Sequence, residues 1–232
     1  MEKKHEVVKE YIMNIILSSP LGTKIPSERD LVRHFNFSRP TIQKAIEDLL
    51  MEGYLYKVNR RGTFTSASRH CTHLNRMISF SEAAREIQVT PKTQVLDRSL
   101  LLANDFLASK ISCKAGERVH YFLRLRKHGD TPVSLDYSYF ADFAVSGITR
   151  SDLERSIYRY IEQVRGLQIC SSDILIEAVQ PEPEVASSLE IPMTEPLLQL
   201  ERFSRLKDGR VFEYTISFTV SRYNKLAVSS LR

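Results

Sequence analysis

The 232-residue sequence has no tryptophan, only three cysteines and eight glycines. It also has no apolar run approaching the ~20 residues that a membrane-spanning helix requires. Each shortage removes a class of protein. Cys71, Cys113 and Cys170 are odd in number and far apart, which is not the disulfide framework of a small secreted domain and leaves three free thiols. A phosphate-binding glycine loop, an HExxH pair and a nucleophile elbow are all missing, so nothing marks a catalytic nucleophile. The stretch from Met1 to Tyr11 lacks the apolar core of a signal peptide, and a cytoplasmic protein with no membrane partner is expected. The absent tryptophan does not preclude a core, because ten tyrosines and eleven phenylalanines join many Leu, Ile and Val residues. With 42% hydrophobic and 26% charged residues the chain is globular rather than disordered, collagenous or coiled-coil, and its length fits one small and one medium domain.

The net charge is +5, and its placement is uneven. Residues 1 to 68 hold 11 basic and 8 acidic residues, and the remaining 164 hold 22 and 20. A basic N-terminal unit hints at a polyanionic partner. The polar, small and aperiodic segment from Ser66 to His73 reads as a linker, which divides the chain into 1–67, a linker at 68–75, and 76–232.

In the first unit, Val7, Val8, Tyr11, Ile12, Ile15 and Ile16 recur at helical spacing before the Pro20 to Gly22 breaker. Ser27 is expected to cap a second helix running to about Phe35, with Glu28 and Asp30 at the positive end of its dipole. Ser38 is expected to cap a third helix with the apolar stripe Ile42, Ala45, Ile46, Leu49 and Leu50. That projection leaves Pro40, Lys44 and Glu47 opposite the core, with Thr41 and Gln43 on the flanks and a free polar first turn. Two short helices joined by a tight turn, the second opening Ser-Arg-x-Thr, suit a helix-turn-helix that sets hydroxyls and an arginine against phosphates and base edges. Leu55 to Val58 and Thr63 to Thr65 then alternate as strands around Asn59-Arg-Arg-Gly62, a basic wing. A glycine there permits close approach to a sugar-phosphate chain, and Arg60 and Arg61 can reach phosphates or the minor groove.

Taken singly, such caps and charged loops occur in many proteins; their joint order is what distinguishes them. Ile25-Pro-Ser-Glu-Arg-Asp-Leu31, Phe37-Ser-Arg-Pro-Thr-Ile42, Glu52-Gly53 and Arg61-Gly-Thr-Phe64 together resemble the winged helix-turn-helix of the GntR transcription regulators. The resemblance implies contacts to double-stranded operator DNA from Arg29, Ser38, Arg39, Thr41 and Gly62, beside the candidates Gln43, Lys44, Arg60 and Arg61. At Gln43 the family usually carries arginine. Glutamine pairs bidentately with adenine whereas arginine favours guanine, so the operator is expected to differ.

Residues 74 to 232 alternate strand-like and helix-like segments. Strands are expected at Gln94–Leu102, Val119–Lys127, Val133–Tyr139, Ile169–Ala178, Leu197–Leu206 and Val211–Val220, with helices near Asp105–Lys110, Ile157–Val164 and Glu182–Leu189. This is an α+β domain, an antiparallel sheet with helices to one side. Alternation puts Phe122, Arg124 and Arg126 on one face of their strand, and a tight following turn makes paired residue numbers sum to roughly 260, bringing Asp136 near Arg124. Ser79 and Ser81 precede a helix start at Glu82, where free N–H groups favour a phosphate or carboxylate. Paired arginines suit the same guest.

The pieces Arg76-x-x-Ser-Phe80, Phe122-x-Arg-Leu-Arg126, Gly129-Asp-x-Pro-Val133, Ser156-Ile-Tyr158 and Glu213 resemble, in order and spacing, the UTRA ligand-binding domain of the HutC subgroup, whose fold is similar to chorismate lyase. The resemblance implies a dimer and a small effector such as a sugar phosphate or amino sugar, held at its anionic end by Ser79, Phe80 and Ser81 beside Arg124 and Arg126, and further along by Asp136, Ser156 and Glu213. Near the end the family commonly shows Tyr-x-x-Asp-Arg-Tyr where this chain has Phe218-Thr-Val-Ser-Arg-Tyr223. His70, Cys71 and His73 lack the second cluster a metal site needs, so neither a metal nor a cofactor is expected. The expected function is a transcription regulator, a repressor responsive to a metabolite. The alternatives are a chorismate lyase-like enzyme fused to a DNA-binding head, and a DNA-binding scaffold without an effector.

Overall fold

The computed structural model describes residues 4–20, 22–66, 71–73, 79–86, 89–223 and 225–227, and the chain divides into two compact units, 1–76 with 225–232, and 77–224. In the first unit, α1 (Lys4–Ser18) buries Val8, Ile12 and Ile16 at four-residue spacing. They pack with Leu31 of α2 (Glu28–Phe35) and with Ile42, Ala45 and Leu49 of α3 (Arg39–Met51) in one apolar cluster. Each such Val, Leu or Ile side chain contributes about 1.5–3 kcal/mol on burial, so this stripe positions α3. Ser27 caps α2 as expected: its Oγ accepts from Asp30 N while the Asp30 carboxylate accepts from Ser27 N, a reciprocal capping box.

Ser38 departs from expectation. It stands at the N-cap of α3, but its hydroxyl makes no cap bond. The reason is Pro40, which has no N–H to give, while Thr41 N already donates to the Ser38 carbonyl. The Ser38 and Thr41 hydroxyls instead meet each other at 2.8 Å.

The wing is β1 (Leu55–Val58) and β2 (Gly62–Thr65), antiparallel from Leu55↔Thr65 to Val58↔Gly62. A segment not foreseen joins it, since Gly22 N and Ile25 N donate to Thr65 O and Thr63 O and Lys24 bridges Phe64. The linker reading needs correction as well. Cys71–His73 forms β3, paired in parallel with β10 (Lys225–Ala227) near the chain end. Three residues with β-branched Thr72 at the centre sufficed once a distant partner was present. The rest of that linker, 67–70 and 74–75, lies outside the described residues, as do Arg76 and the two residues after it.

The second unit runs α4 (Phe80–Glu86), β4 (Pro91–Leu102), α5 (Asp105–Lys110), β5 (Arg118–His128), β6 (Thr131–Ala141), α6 (Asp142–Val145), α7 (Arg150–Arg155), α8 (Ile157–Arg159), β7 (Ile169–Val179), α9 (Pro183–Leu189), β8 (Leu197–Leu206) and β9 (Val211–Val220). The six long strands form one antiparallel sheet in the order β4-β5-β6-β9-β8-β7. The helix expected over Ile157–Val164 is one α turn that widens into a π turn at Tyr160–Val164. The short α6 and α7 were not foreseen.

Helices cover both faces rather than one. Phe122 and Phe140 pack under α6, α7 and α8 with Ala144, Leu153 and Ile157, whereas Leu125 and Leu135, odd-numbered on the same strands, pack under α9 with Val185 and Leu189. The one-sided expectation failed because β5 and β6 carry apolar residues at both parities, the pattern of a strand buried on both faces. On the Phe122 face the apolar patch fills one end only. Across its middle lie Arg124, Arg126, Ser134, Asp136, Ser138, Ser204, Glu213, Thr215 and Thr219, all buried.

Candidate functional site

Two constellations stand out, one in each unit. In the first, a groove of about 850 Å³ lies between the start of α2 and the wing. Arg29, Arg39, Arg60, Arg61 and Gly62 line it together with Lys24, Arg33 and Lys57, which the sequence reading passed over because isolated charges carry no periodic signal. Arg60 sits at the hairpin tip with φ 60°, and Gly62 has φ 122°. A β-carbon on Gly62 would stand 2.7 Å from Lys24 Cε, a flexible side-chain end that can swing aside, so it is the backbone at φ 122° that calls for glycine there.

The first turn of α3 is exposed but not free, which corrects the expectation. Glu28, on α2, accepts at one oxygen, Oε2, from Arg39 Nε at 3.3 Å and from Gln43 Nε2 at 3.0 Å. Lys44, on the outer face, pairs with Asp48 at 3.0 Å, an exposed contact of little energetic weight. Gln43 adjoins the groove through Glu28, whereas Ser38, Thr41 and Lys44 are not part of its lining.

In the second unit the register places Arg124 opposite Asp136, as the sum rule requires, but the ion pair goes to the diagonal neighbour: Arg126 Nε lies 2.7 Å from Asp136 Oδ2. A guanidinium reaches across a diagonal easily. Arg126 also donates to Thr93 Oγ1 at 2.8 Å, and Ser134 Oγ supports the other Asp136 oxygen at 2.9 Å. Burial pushes the Asp136 carboxyl up, but Arg126, Arg124 and these bonds outweigh it and hold the group below the usual carboxylate range.

Arg124 is the unusual member. It is 4% exposed, donates to Ser138 Oγ at 3.1 Å, and its Nε has no hydrogen-bond partner among the described residues. Burial first, then the neighbouring Arg126, push the guanidinium down to about 9. A buried arginine whose donor lacks a protein acceptor carries a desolvation cost.

Glu213 is engaged at both oxygens, with accepting capacity left at Oε1: Tyr158 and Ser204 hydroxyls donate to Oε2 and Thr215 to Oε1. Burial and Glu213 together raise the Tyr158 hydroxyl well above its ordinary range, keeping it a donor. Arg202, which the sequence reading missed, lies on β8 opposite Thr215; burial lowers its guanidinium, but Tyr158 and Glu213 outweigh burial and hold it above its ordinary value.

Ser79, Phe80, Ser81 and Ser156 gather at one edge. Phe80 stacks on His128 and receives the Arg126 guanidinium 5.2 Å from its ring centre. Ser81 Oγ donates to Arg155 O, next to Ser156, whose own Oγ caps α8. The open helix start expected at Ser79 is occupied: Ser79 N and Oγ both donate to Glu82 Oε2 at 2.7 Å, so the chain's own carboxylate takes the place envisaged for a ligand anion. The capping-box spacing Ser79-x-x-Glu82 was the signal for this. Among the described residues no cluster of three or more His, Cys, Asp or Glu could hold a metal.

Residues 86–223 match the UTRA domain family and residues 4–65 match the bacterial regulatory proteins of the gntR family. The chain is 29% identical over 193 residues to the HTH-type transcriptional repressor NagR of Bacillus subtilis, covering 83% of this chain and 79% of the relative. It is 28% identical to the mannosyl-D-glycerate transport/metabolism system repressor MngR of Escherichia coli, with 84% and 81% covered, and 28% identical to a histidine utilization repressor of Pseudomonas aeruginosa, with 88% and 81% covered. The crystal structure of the possible transcriptional regulator YydK from Bacillus subtilis superposes with a TM-score of 0.82 at 22% identity, over 98% of this chain and 99% of that one, which shows the shared fold. The relatives are regulators, so the enzyme alternative falls. The chain belongs to the UTRA-domain family and is a GntR-type transcription regulator, a DNA-binding winged helix-turn-helix joined to an effector domain.

Proposed function

We propose that this regulator is a repressor whose hold on operator DNA is released by a small anionic metabolite, a phosphorylated or carboxylated sugar or amino sugar, bound against Arg124 and Arg126. The observation that carries this reading is the buried, unpartnered Arg124 Nε beside a second buried arginine. A carboxylate or phosphate oxygen would satisfy it with a charge-assisted bond. Glu213, with Ser204 and Tyr158, and Asp136 then receive hydroxyl or amino groups, while Ser79, Phe80, Ser81 and Ser156 border the anionic end. The repressor sign is supported by the names of the relatives.

On the DNA side, Arg29, Lys44, Arg60 and Arg61 neutralise phosphates, and the Ser38 and Thr41 hydroxyls, unspent on capping, bind one at the α3 start. Arg39 and Gln43 read base edges. Helix-turn-helix heads engage paired half-sites as two-fold dimers. The open edge of β4, with Leu100 and Leu102 54% and 70% exposed and Phe106 of α5 at 55%, is where a second copy would join. The chain itself offers a route for the signal. From β9, which carries Glu213, Thr215 and Thr219, it passes in four residues to β10, the partner of β3 between head and sensor.

The test is a thermal-shift panel of sugar phosphates, sugar acids, amino sugars and amino acids, followed by operator titration with each hit. At least one anionic compound should raise the melting temperature of the wild type, leave Arg124→Ala unmoved and weaken operator binding. Hits confined to neutral sugars, or equal shifts in both proteins, would overturn the anion assignment.

A further inference from the structure

The carboxylate of Glu28 sits on α2, outside the recognition helix, yet it holds two side chains of that helix at a single oxygen. A carboxylate only accepts, so Gln43 must turn its amide nitrogen toward Glu28 and its carbonyl oxygen away. One amide N–H is spent on Glu28; the second N–H and the oxygen remain. That leaves one donor and one acceptor, the complement of the adenine edge, which offers N7 as acceptor and N6–H as donor. Guanine, with two acceptors at N7 and O6, would set an oxygen against the Gln43 carbonyl. Arg39 is aligned by the same atom through Nε, which leaves its terminal nitrogens forward.

Resting on the DNA-reading role of α3 proposed above, we infer that Glu28 is a positioning residue that fixes the orientation of the Gln43 amide and thereby sets adenine preference at one position of each half-site. Glu28 makes this selection without touching the base. Its charge opposes the phosphates, and the groove keeps it nonetheless among seven cations.

The experiment is selection of bound sequences from a random duplex library by the full-length protein, comparing wild type, Gln43→Ala, Glu28→Gln and Glu28→Ala. Both Glu28 variants lose the negative charge, but only Glu28→Gln keeps an accepting carbonyl. The wild type should enrich adenine over guanine at one column per half-site by about tenfold or more. Gln43→Ala should flatten that column, Glu28→Gln should retain it, and Glu28→Ala should flatten it while affinity for unselected duplex stays the same or rises. Equal adenine preference in the two Glu28 variants, or an unchanged column in Gln43→Ala, overturns the inference while leaving DNA recognition standing. Failure of the wild type to enrich any sequence contradicts the reading of α3 and the inference with it.

Discussion

Replacing Arg124 by methionine should make the ligand-free protein more stable and deaf to its effector. The guanidinium is pushed down from its ordinary value to about 9 because burial and Arg126 disfavour its charge. This lowering is a net cost of about 3 kcal/mol to the folded state. Below pH 9 the group is protonated in both folded and unfolded chains, so the whole cost applies at neutral pH and is relieved only as pH climbs above 9 toward the ordinary arginine range. Methionine fills similar space without charge. Against the gain stands the lost bond to Ser138, about 1 kcal/mol; the attraction of Asp136 and Glu213 is already contained in the value of about 9. Asp136 keeps Arg126, and Glu213 keeps its three hydroxyl donors. The net expectation is about 2 kcal/mol of added stability, or roughly 4–8 °C in melting temperature for a domain of this size. Calorimetry of wild type and Arg124→Met, each with and without a pocket ligand, reads both effects. A lowered melting temperature in the ligand-free variant would refute the reasoning and make Arg124 a structural arginine.

Removing Arg60 and Arg61 together should weaken binding across all duplex sequences and reduce the slope of log affinity against log salt by about 2, read by anisotropy at several ionic strengths; an unchanged slope removes the wing from the phosphate contacts. Gly62→Ala, forced to keep φ 122° with its methyl against Lys24, should destabilise the head by about 1–2 kcal/mol in denaturant titration and lower DNA affinity. Because the Asp136 carboxyl is held low, its stabilising share is present above about pH 4 and lost as pH falls through the depressed folded value. Asp136→Asn should therefore melt with a flatter acid limb than wild type, and parallel limbs would contradict the pairing. A chain ended after Tyr223, lacking β10, should bind DNA and ligand separately but lose the ligand effect on DNA, as measured by operator titration.

Much of this was legible in the sequence wherever a local rule governs. The α2 cap followed from Ser27 and Asp30, and the Arg124↔Asp136 register from a tight turn, holding until the irregularity at Arg126/Lys127. The same rule, carried to the next hairpin, would have placed Arg202 and Ser204 beside Glu213, since Ser204↔Glu213 and Arg202↔Thr215 share one sum. That signal was present and unused. Other features depend on partners far away in the chain. β3 and β10 are three residues each and separated by some 150 positions, too short for any pattern to reveal. Pro40 altered what Ser38 does through a single missing N–H, and Glu28 acquired its partners only when α2 packed beside α3.

The most direct measurement of the central claim is the affinity of a verified pocket anion for the full-length protein, by calorimetry, with and without saturating operator duplex. If the ligand releases the repressor, reciprocity requires the operator to weaken ligand binding by the same factor, about 5- to 150-fold for a coupling of about 1–3 kcal/mol. Equal affinities in the two titrations would contradict an effector-controlled regulator.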